Sequence, residues 1–210
     1  NILKTLNINF NENIILDGAQ ATRLQTQQNI SDNTSLQTML KLNWPEVRGQ
    51  YINQQEEIGN GLSLVRIVSP GGLTPLNEDS EIDYIPLISS SNVTMDLPMK
   101  EVLDPIELIN NFQPTGIEYD FGVKLTGKTS SQFDDFEFKK DTHISYSTNN
   151  INVVLFSDAD FIRNPFWARV QKFLDTNVIE TTSDNGSLIT NVLDSLTGFD
   201  EFINLRNKET

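Results

Sequence analysis

Ile151-Asn152-Val153-Val154-Leu155-Phe156, running straight into Ser157-Asp158-Ala159-Asp160, decides how the rest of the chain reads. An almost unbroken apolar run rich in β-branched residues has the composition of a strand covered on both faces, as in a parallel sheet. Its polar end delivers two carboxylates two residues apart at the carboxyl end of that strand, where open α/β sheets bind their ligands. Downstream, Asn164 as N-cap and Pro165 in the first turn predict a helix. Its apolar face would be Phe166, Trp167, Val170, Phe173 and Leu174, and it would end near Asp175. A second helix is predicted to begin between Asp184 and Ser187, to bury Leu188, Ile189, Val192, Leu193 and Leu196, and to stop at Gly198, a left-handed terminator. Strands interleaved with helices predict an α/β fold, a largely parallel or mixed sheet flanked by helices, with residues 1–210 as a single domain.

Upstream the pattern is extended. Ile117, Tyr119, Phe121, Val123 and Leu125 alternate with other residues in a strict period of two, which predicts a half-buried strand. Leu62 to Val68, closed by Ser69-Pro70-Gly71-Gly72, and Tyr84 to Ile88, carrying Pro86, are further strand candidates, the second at a sheet edge. Asn13 to Leu16 has weaker strand character, and the polar stretch from Gln25 to Ser35 reads as an exposed loop. Ser130 to Asp141, acidic with three Phe, reads as a long irregular segment.

Composition narrows the function classes. With 15 Lys+Arg against 29 Asp+Glu, the formal net charge of -14 repels nucleic-acid phosphates, so nucleic acid is not expected as a partner. The absence of Cys and the single His143 remove thiol nucleophiles, iron-sulfur clusters, structural zinc and multi-histidine metal cages. Apolar runs such as Val153 to Phe156 fall far short of the roughly 20 residues that span a bilayer. The opening Asn1-Ile2-Leu3-Lys4, with neither initiator Met nor signal peptide, reads as the start of an excised piece of a longer protein.

Two motifs carry candidate chemistry. Gly122 to Thr129 fits the phosphate-loop pattern G-x-x-x-x-G-K-[ST], but the period-two strand runs through it and no helix follows, so it reads as a strand ending in a polar turn. Asp158 and Asp160 have the spacing with which a metal-dependent nucleotide-sugar transferase holds Mg²⁺ or Mn²⁺ against substrate phosphates. Their plainer role is capping the segment that follows. Trp44 and Trp167 offer a third reading, a glycan-binding module using exposed aromatics. His143 has no Ser or Cys nucleophile pattern near it and reads as a solvent-exposed residue.

Several pieces in order resemble the gliding-motility-type (GldG-like) auxiliary subunits of ABC transporters, whose soluble domain is related to that of intraflagellar-transport proteins. They are Asn43-Trp44-Pro45, Leu87 to Ser91, Asp104-Pro105, Phe112 to Gly116 leading into Tyr119 to Gly127, Asn152 to Phe161, Pro165-Phe166-Trp167, Asp184-Asn185-Gly186, Asn191 to Gly198 and Leu205-Arg206. The resemblance implies a non-enzymatic, partner- or ligand-binding α/β domain at the periplasmic face of the bacterial inner membrane, held by membrane segments outside this chain. It implies an ABC transporter permease or another periplasmic or membrane protein as partner, and no cofactor, metal or catalytic residue. It also implies an incomplete flavodoxin-like or Rossmann-like domain lacking an early strand and helix. Asp158, Asp160, Asn185 and Gly186 are the candidates for a pocket or contact surface.

Overall fold

The computed structural model describes residues 2–30, 33–101, 104–133, 142–173 and 176–206. In chain order the elements are α1 (Ile2–Thr5), β1 (Ile8–Asn11), β2 (Ile14–Asp17), β3 (Ala21–Ile30), β4 (Asn33–Arg48), β5 (Leu64–Arg66), β6 (Gly72–Pro75), β7 (Ile82–Ser89) and β8 (Thr94–Leu97). They continue with α2 (Pro105–Asn110), β9 (Asp120–Gly127), β10 (Ile151–Phe156), α3 (Asn164–Trp167), β11 (Ala168–Phe173), β12 (Thr176–Thr181), α4 (Asn185–Thr197) and α5 (Asp200–Arg206).

At the centre lies β9, where the predicted alternation is realised: Phe121, Val123 and Leu125 are fully buried while Lys124 and Thr126 are partly open. The strand begins at Asp120 rather than Ile117, which is exposed. It pairs β10 along one edge and β7 along the other, and Leu73 opposite Asp120 joins it to the β1–β6 pair. Pro86 sits in β7, whose partner within the sheet is β9, as an edge position allows for a residue without an N–H. The phosphate-loop look-alike Gly122–Thr129 therefore lies on β9 and the turn after it.

Every strand pairing among the described residues is antiparallel, which overturns the expected parallel or mixed flavodoxin-like α/β sheet. The strand Ile151–Phe156 forms at its predicted limits but runs antiparallel to β9 as an edge strand, half-buried. Its composition has a physical reason. Ile151, Val153 and Leu155 pack on the cluster of Ile8, Leu73, Val123 and Leu125, while Val154 and Phe156 pack on the main core around Phe121 and Phe161. An apolar run reports that both faces are covered and says nothing about strand direction.

Two local expectations are also corrected. The helix from Asn164 lasts one turn, with Asn164 its first residue rather than its cap, and Ala168–Phe173 then pairs with Thr176–Thr181 in a hairpin that sets Val170 opposite Ile179. Leu174 and Asp175 lie outside the described residues. Of the Gln25–Ser35 stretch, residues 25–30 and 33–35 are not loop but the distal part of the β3–β4 pairing, in register from Thr22 opposite Lys41 to Ile30 opposite Asn33, and residues 31 and 32 lie outside the described residues. A backbone ladder needs no hydrophobic period, so none was there to read. Of the Ser130–Asp141 segment, residues 134–141 lie outside the description; Ser130 bridges to Tyr146, and His143 is exposed.

The second predicted helix, α4, ends as expected at Gly198, whose φ of 78° is left-handed. Leu188 and Val192 join the core cluster of Phe121, and Ile189 packs against it. Leu193 and Leu196, expected inside, are exposed.

At the start of β9, the Asp120 carboxylate accepts hydrogen bonds from Tyr84 Oη at 2.7 Å and Ser89 Oγ at 2.6 Å. Burial pushes its pKa above the ordinary 3.8, with the nearby Glu118 charge adding to the rise and the two hydroxyl donors opposing it. A raised carboxyl pKa favours the protonated folded form, so this contribution is complete below about 3.8 and is lost as pH climbs through the folded value. Asp120→Asn should therefore gain stability relative to the native chain as pH rises from about 4 to about 7. Urea denaturation across that range measures it, and an opposite trend would refute this account.

Candidate binding cleft

β5 has two hydrogen-bonding edges. One faces β4, with Val65 opposite Val47, and the pairing continues as Ile67 N–H donates to the Pro45 carbonyl at 3.0 Å. Along the other edge the N–H groups of Leu64, Arg66 and Val68 point the same way, since alternate residues share an edge. No strand among the described residues meets them. Instead Leu64 N–H donates to Asp184 Oδ2 at 2.9 Å, Arg66 N–H to Asn185 Oδ1 at 2.9 Å and Val68 N–H to Asp158 Oδ2 at 2.7 Å. In return Asp184 N–H donates to the Leu64 carbonyl and Asn185 Nδ2 to the Arg66 carbonyl, each at 2.7 Å. Three side chains stand where a neighbouring strand would, and they satisfy a buried edge that would otherwise be costly.

The sequence candidates thus separate. Asp158, 9% exposed, also accepts from the Asp160 and Phe161 amides; burial raises its pKa and the three amides oppose the rise. Asp160 is exposed and meets Arg163 at 3.4 Å, so the two carboxylates have separate partners, while the charge of Asp160 adds to the rise at Asp158. Asn185, at 0% exposure, makes four hydrogen bonds, with Arg66 N–H, the Arg66 carbonyl, the Phe161 carbonyl and Ser183 Oγ. Gly186 lies under Trp167: a Cβ there would stand 2.8 Å from the indole ring. Among the described residues no group of three His, Asp or Glu is placed to hold a metal ion.

In front of the wall made by Arg66, Ile67 and Val68 opens a cleft of about 200 Å³. Thr22, Arg23 and Leu24 of β3, Trp44 and Glu46 of β4, and Pro165, Phe166 and Arg169 complete it. Asp158 and Asn185 brace this wall from behind. The Trp44 and Phe166 rings meet edge to face at 5.7 Å, and Lys41 Nζ lies 5.6 Å from the Trp44 ring centre. Arg66 is clamped: Nε to Glu46 at 3.0 Å, Nη1 to Thr182 Oγ1 at 2.7 Å and to the Phe166 carbonyl at 3.3 Å.

Residues 1–192 match the family model described as ABC-type uncharacterized transport system. The chain belongs to that family. It is accordingly an auxiliary component of an ABC-type transport system, and the matched span holds the whole cleft together with Asp158, Asp160, Asn185 and Gly186. Comparison with curated proteins and with solved structures gave no match. In this auxiliary component no helix among the described residues is long and apolar enough to cross a membrane.

Sequence reasoning singled out Trp44 as an exposed aromatic, Phe166 as part of an apolar face, and Asp158 and Asn185 as pocket or contact candidates, but it missed Arg23, Arg66 and Arg169. One signal was present: only six arginines occur in this acidic chain. Half of them line one small cleft.

Proposed function

We propose that this auxiliary component of the ABC transport system is a non-enzymatic binding domain of the gliding-motility type. It works at the periplasmic face of the inner membrane, where it takes up a ligand or engages the permease. The observation that carries this reading is the cleft wall: buried side chains from the C-terminal segment fix the backbone of β5, and the residues in front form an aromatic and cationic recess. A nucleotide-sugar transferase needs both carboxylates on one ion. Here Asp158 accepts from three backbone amides and Asp160 faces Arg163, an arrangement that favours holding the fold over holding a metal. A glycan platform needs an open aromatic face, whereas Trp167 donates its indole N–H to the Ile162 carbonyl at 3.0 Å and abuts Gly186, and Trp44 is wedged between Phe166 and Lys41.

The test is site-specific photocrosslinking in the native bacterium, with the membrane-anchored parent carrying a photoreactive residue at position 169, on the exposed start of the β11–β12 hairpin. The expected product is an adduct with a subunit of the transporter, formed in intact spheroplasts where added protease also reaches the domain. Adducts restricted to cytoplasmic proteins, or protection from external protease, would refute the proposal.

A further inference from the structure

We infer that the cleft between β3, β4, β5 and the Pro165–Arg169 corner binds a small organic anion, a carboxylate or phosphate carried on an apolar or flat body. This rests on reading the domain as a binding module, and it adds the chemistry of what is bound. Three arginines and one glutamate line the cleft, which leaves it cationic on a chain of net charge -14. Arg66 is neutralised by Glu46 and fixed by Thr182 and the Phe166 carbonyl. Arg23 and Arg169 are different: both are exposed, and neither has an ion-pair partner among the described residues.

Acidic residues outnumber basic ones 29 to 15 in this chain, so two uncommitted guanidinium groups bordering one recess stand against its composition. Guanidinium matches carboxylate and phosphate through paired parallel N–H donors, and a recess with low-dielectric walls strengthens that attraction. The walls are apolar where the arginines are not: Leu24, Trp44, Pro165 and Phe166 supply a surface for a ring or short chain. Thr22 Oγ1 donates to the Trp44 carbonyl at 2.5 Å, which fixes that wall. At about 200 Å³ the cleft is smaller than the roughly 300 Å³ where pockets for drug-sized ligands begin, so the body is one ring or a few carbons. A cationic ligand is repelled, and a neutral sugar leaves the arginines unused.

Calorimetric titration of the purified chain at low salt decides the matter, using benzoate, phenyl phosphate, inorganic phosphate and benzylamine as probes. Saturable binding of benzoate or phenyl phosphate, one per chain and weakening with added salt, is the expected result. Whichever binds more tightly identifies the headgroup as carboxylate or phosphate. Arg23→Gln and Arg169→Gln, at exposed positions that leave the fold intact by circular dichroism, should each weaken that binding about tenfold. Benzylamine binding as well as benzoate would overturn the proposal, as would inorganic phosphate binding as tightly as the better of the two organic anions. Full affinity in both arginine variants, or no binding of any probe by the folded chain, would overturn it equally. Such failures leave the crosslinking to the transporter untouched, so the two readings fall separately.

Discussion

Asn185→Ala is expected to destabilise the folded chain by about 3–5 kcal/mol, read as a shift of the urea midpoint. The side chain is fully buried, and its carboxamide takes the place of a strand: Oδ1 accepts from Arg66 N–H at 2.9 Å, and Nδ2 donates to the Arg66 and Phe161 carbonyls at 2.7 and 2.8 Å. Alanine leaves two donors, Arg66 N–H and the Ser183 hydroxyl, and two acceptors, the Arg66 and Phe161 carbonyls, without their partner. Each such group costs about 1–3 kcal/mol, and local relaxation recovers part of the sum. Against the 5–15 kcal/mol that typically holds a domain together, this is a large share. Asn185→Asp is the sharper control. It keeps the acceptor for Arg66 N–H but sets a carboxylate oxygen against two carbonyl oxygens, so it should be no better than alanine despite its equal size. A loss under about 1 kcal/mol in either variant would mean that water replaces the amide and that Asn185 does not hold the wall.

How far this could be read in advance depends on which interactions are local. β9 was legible because one face of it is buried, so that Phe121, Val123 and Leu125 repeat at the spacing of a pleat. The limits of β10 were legible for a related reason, yet its direction was not, because direction is set by a partner strand far away in the chain. Strand β11 of the β11–β12 hairpin was mistaken for the continuation of a helix because Phe166, Trp167, Val170 and Phe173 happen to fit a helical stripe. The hairpin offers little core-facing alternation to contradict that fit, since Val170, Val178 and Ile179 are all exposed. At the site, Asp158 and Asn185 stood out as turn residues after a strand and before a helix, while their partners, the amides of Val68 just after β5 and of Arg66 within it, are 90 and 119 residues away. Arg23, Arg66 and Arg169 share no motif at all; the antiparallel pairing of β3, β4 and β5 brings Arg23 and Arg66 together, and Arg169, at the start of β11, joins them at one recess.

A second large effect is expected at a residue that sequence reading passed over. Asp17 closes β2 at 0% exposure. Its Oδ1 accepts from the Ala19 and Gln20 amides, each at 3.0 Å, and from Ser91 Oγ at 2.7 Å, while Oδ2 accepts from Ser91 N–H at 2.7 Å. One carboxylate therefore shapes the turn into β3 and ties it to the loop after β7. Asp17→Ala strands the amides of Gln20 and Ser91, both buried, whereas Ala19 is exposed and its amide can turn to water. Two to three orphaned donors cost about 3–4 kcal/mol, which in a chain of this length lowers Tm by about 10 °C. Asp17→Asn separates charge from geometry. Its oxygen can keep the three bonds at Oδ1, but its NH₂ group meets Ser91 N–H donor to donor, so a substantial part of the loss should remain. Because Gln20 in turn accepts the Glu46 amide at 2.7 Å, loosening this corner also loosens the register of β3 on β4, and with it the Arg23 side of the cleft. Asp17→Ala should then weaken benzoate or phenyl phosphate binding at temperatures where the chain is still folded. A Tm drop under about 3 °C with unchanged binding would assign the corner to the Glu46–Gln20 backbone bond alone.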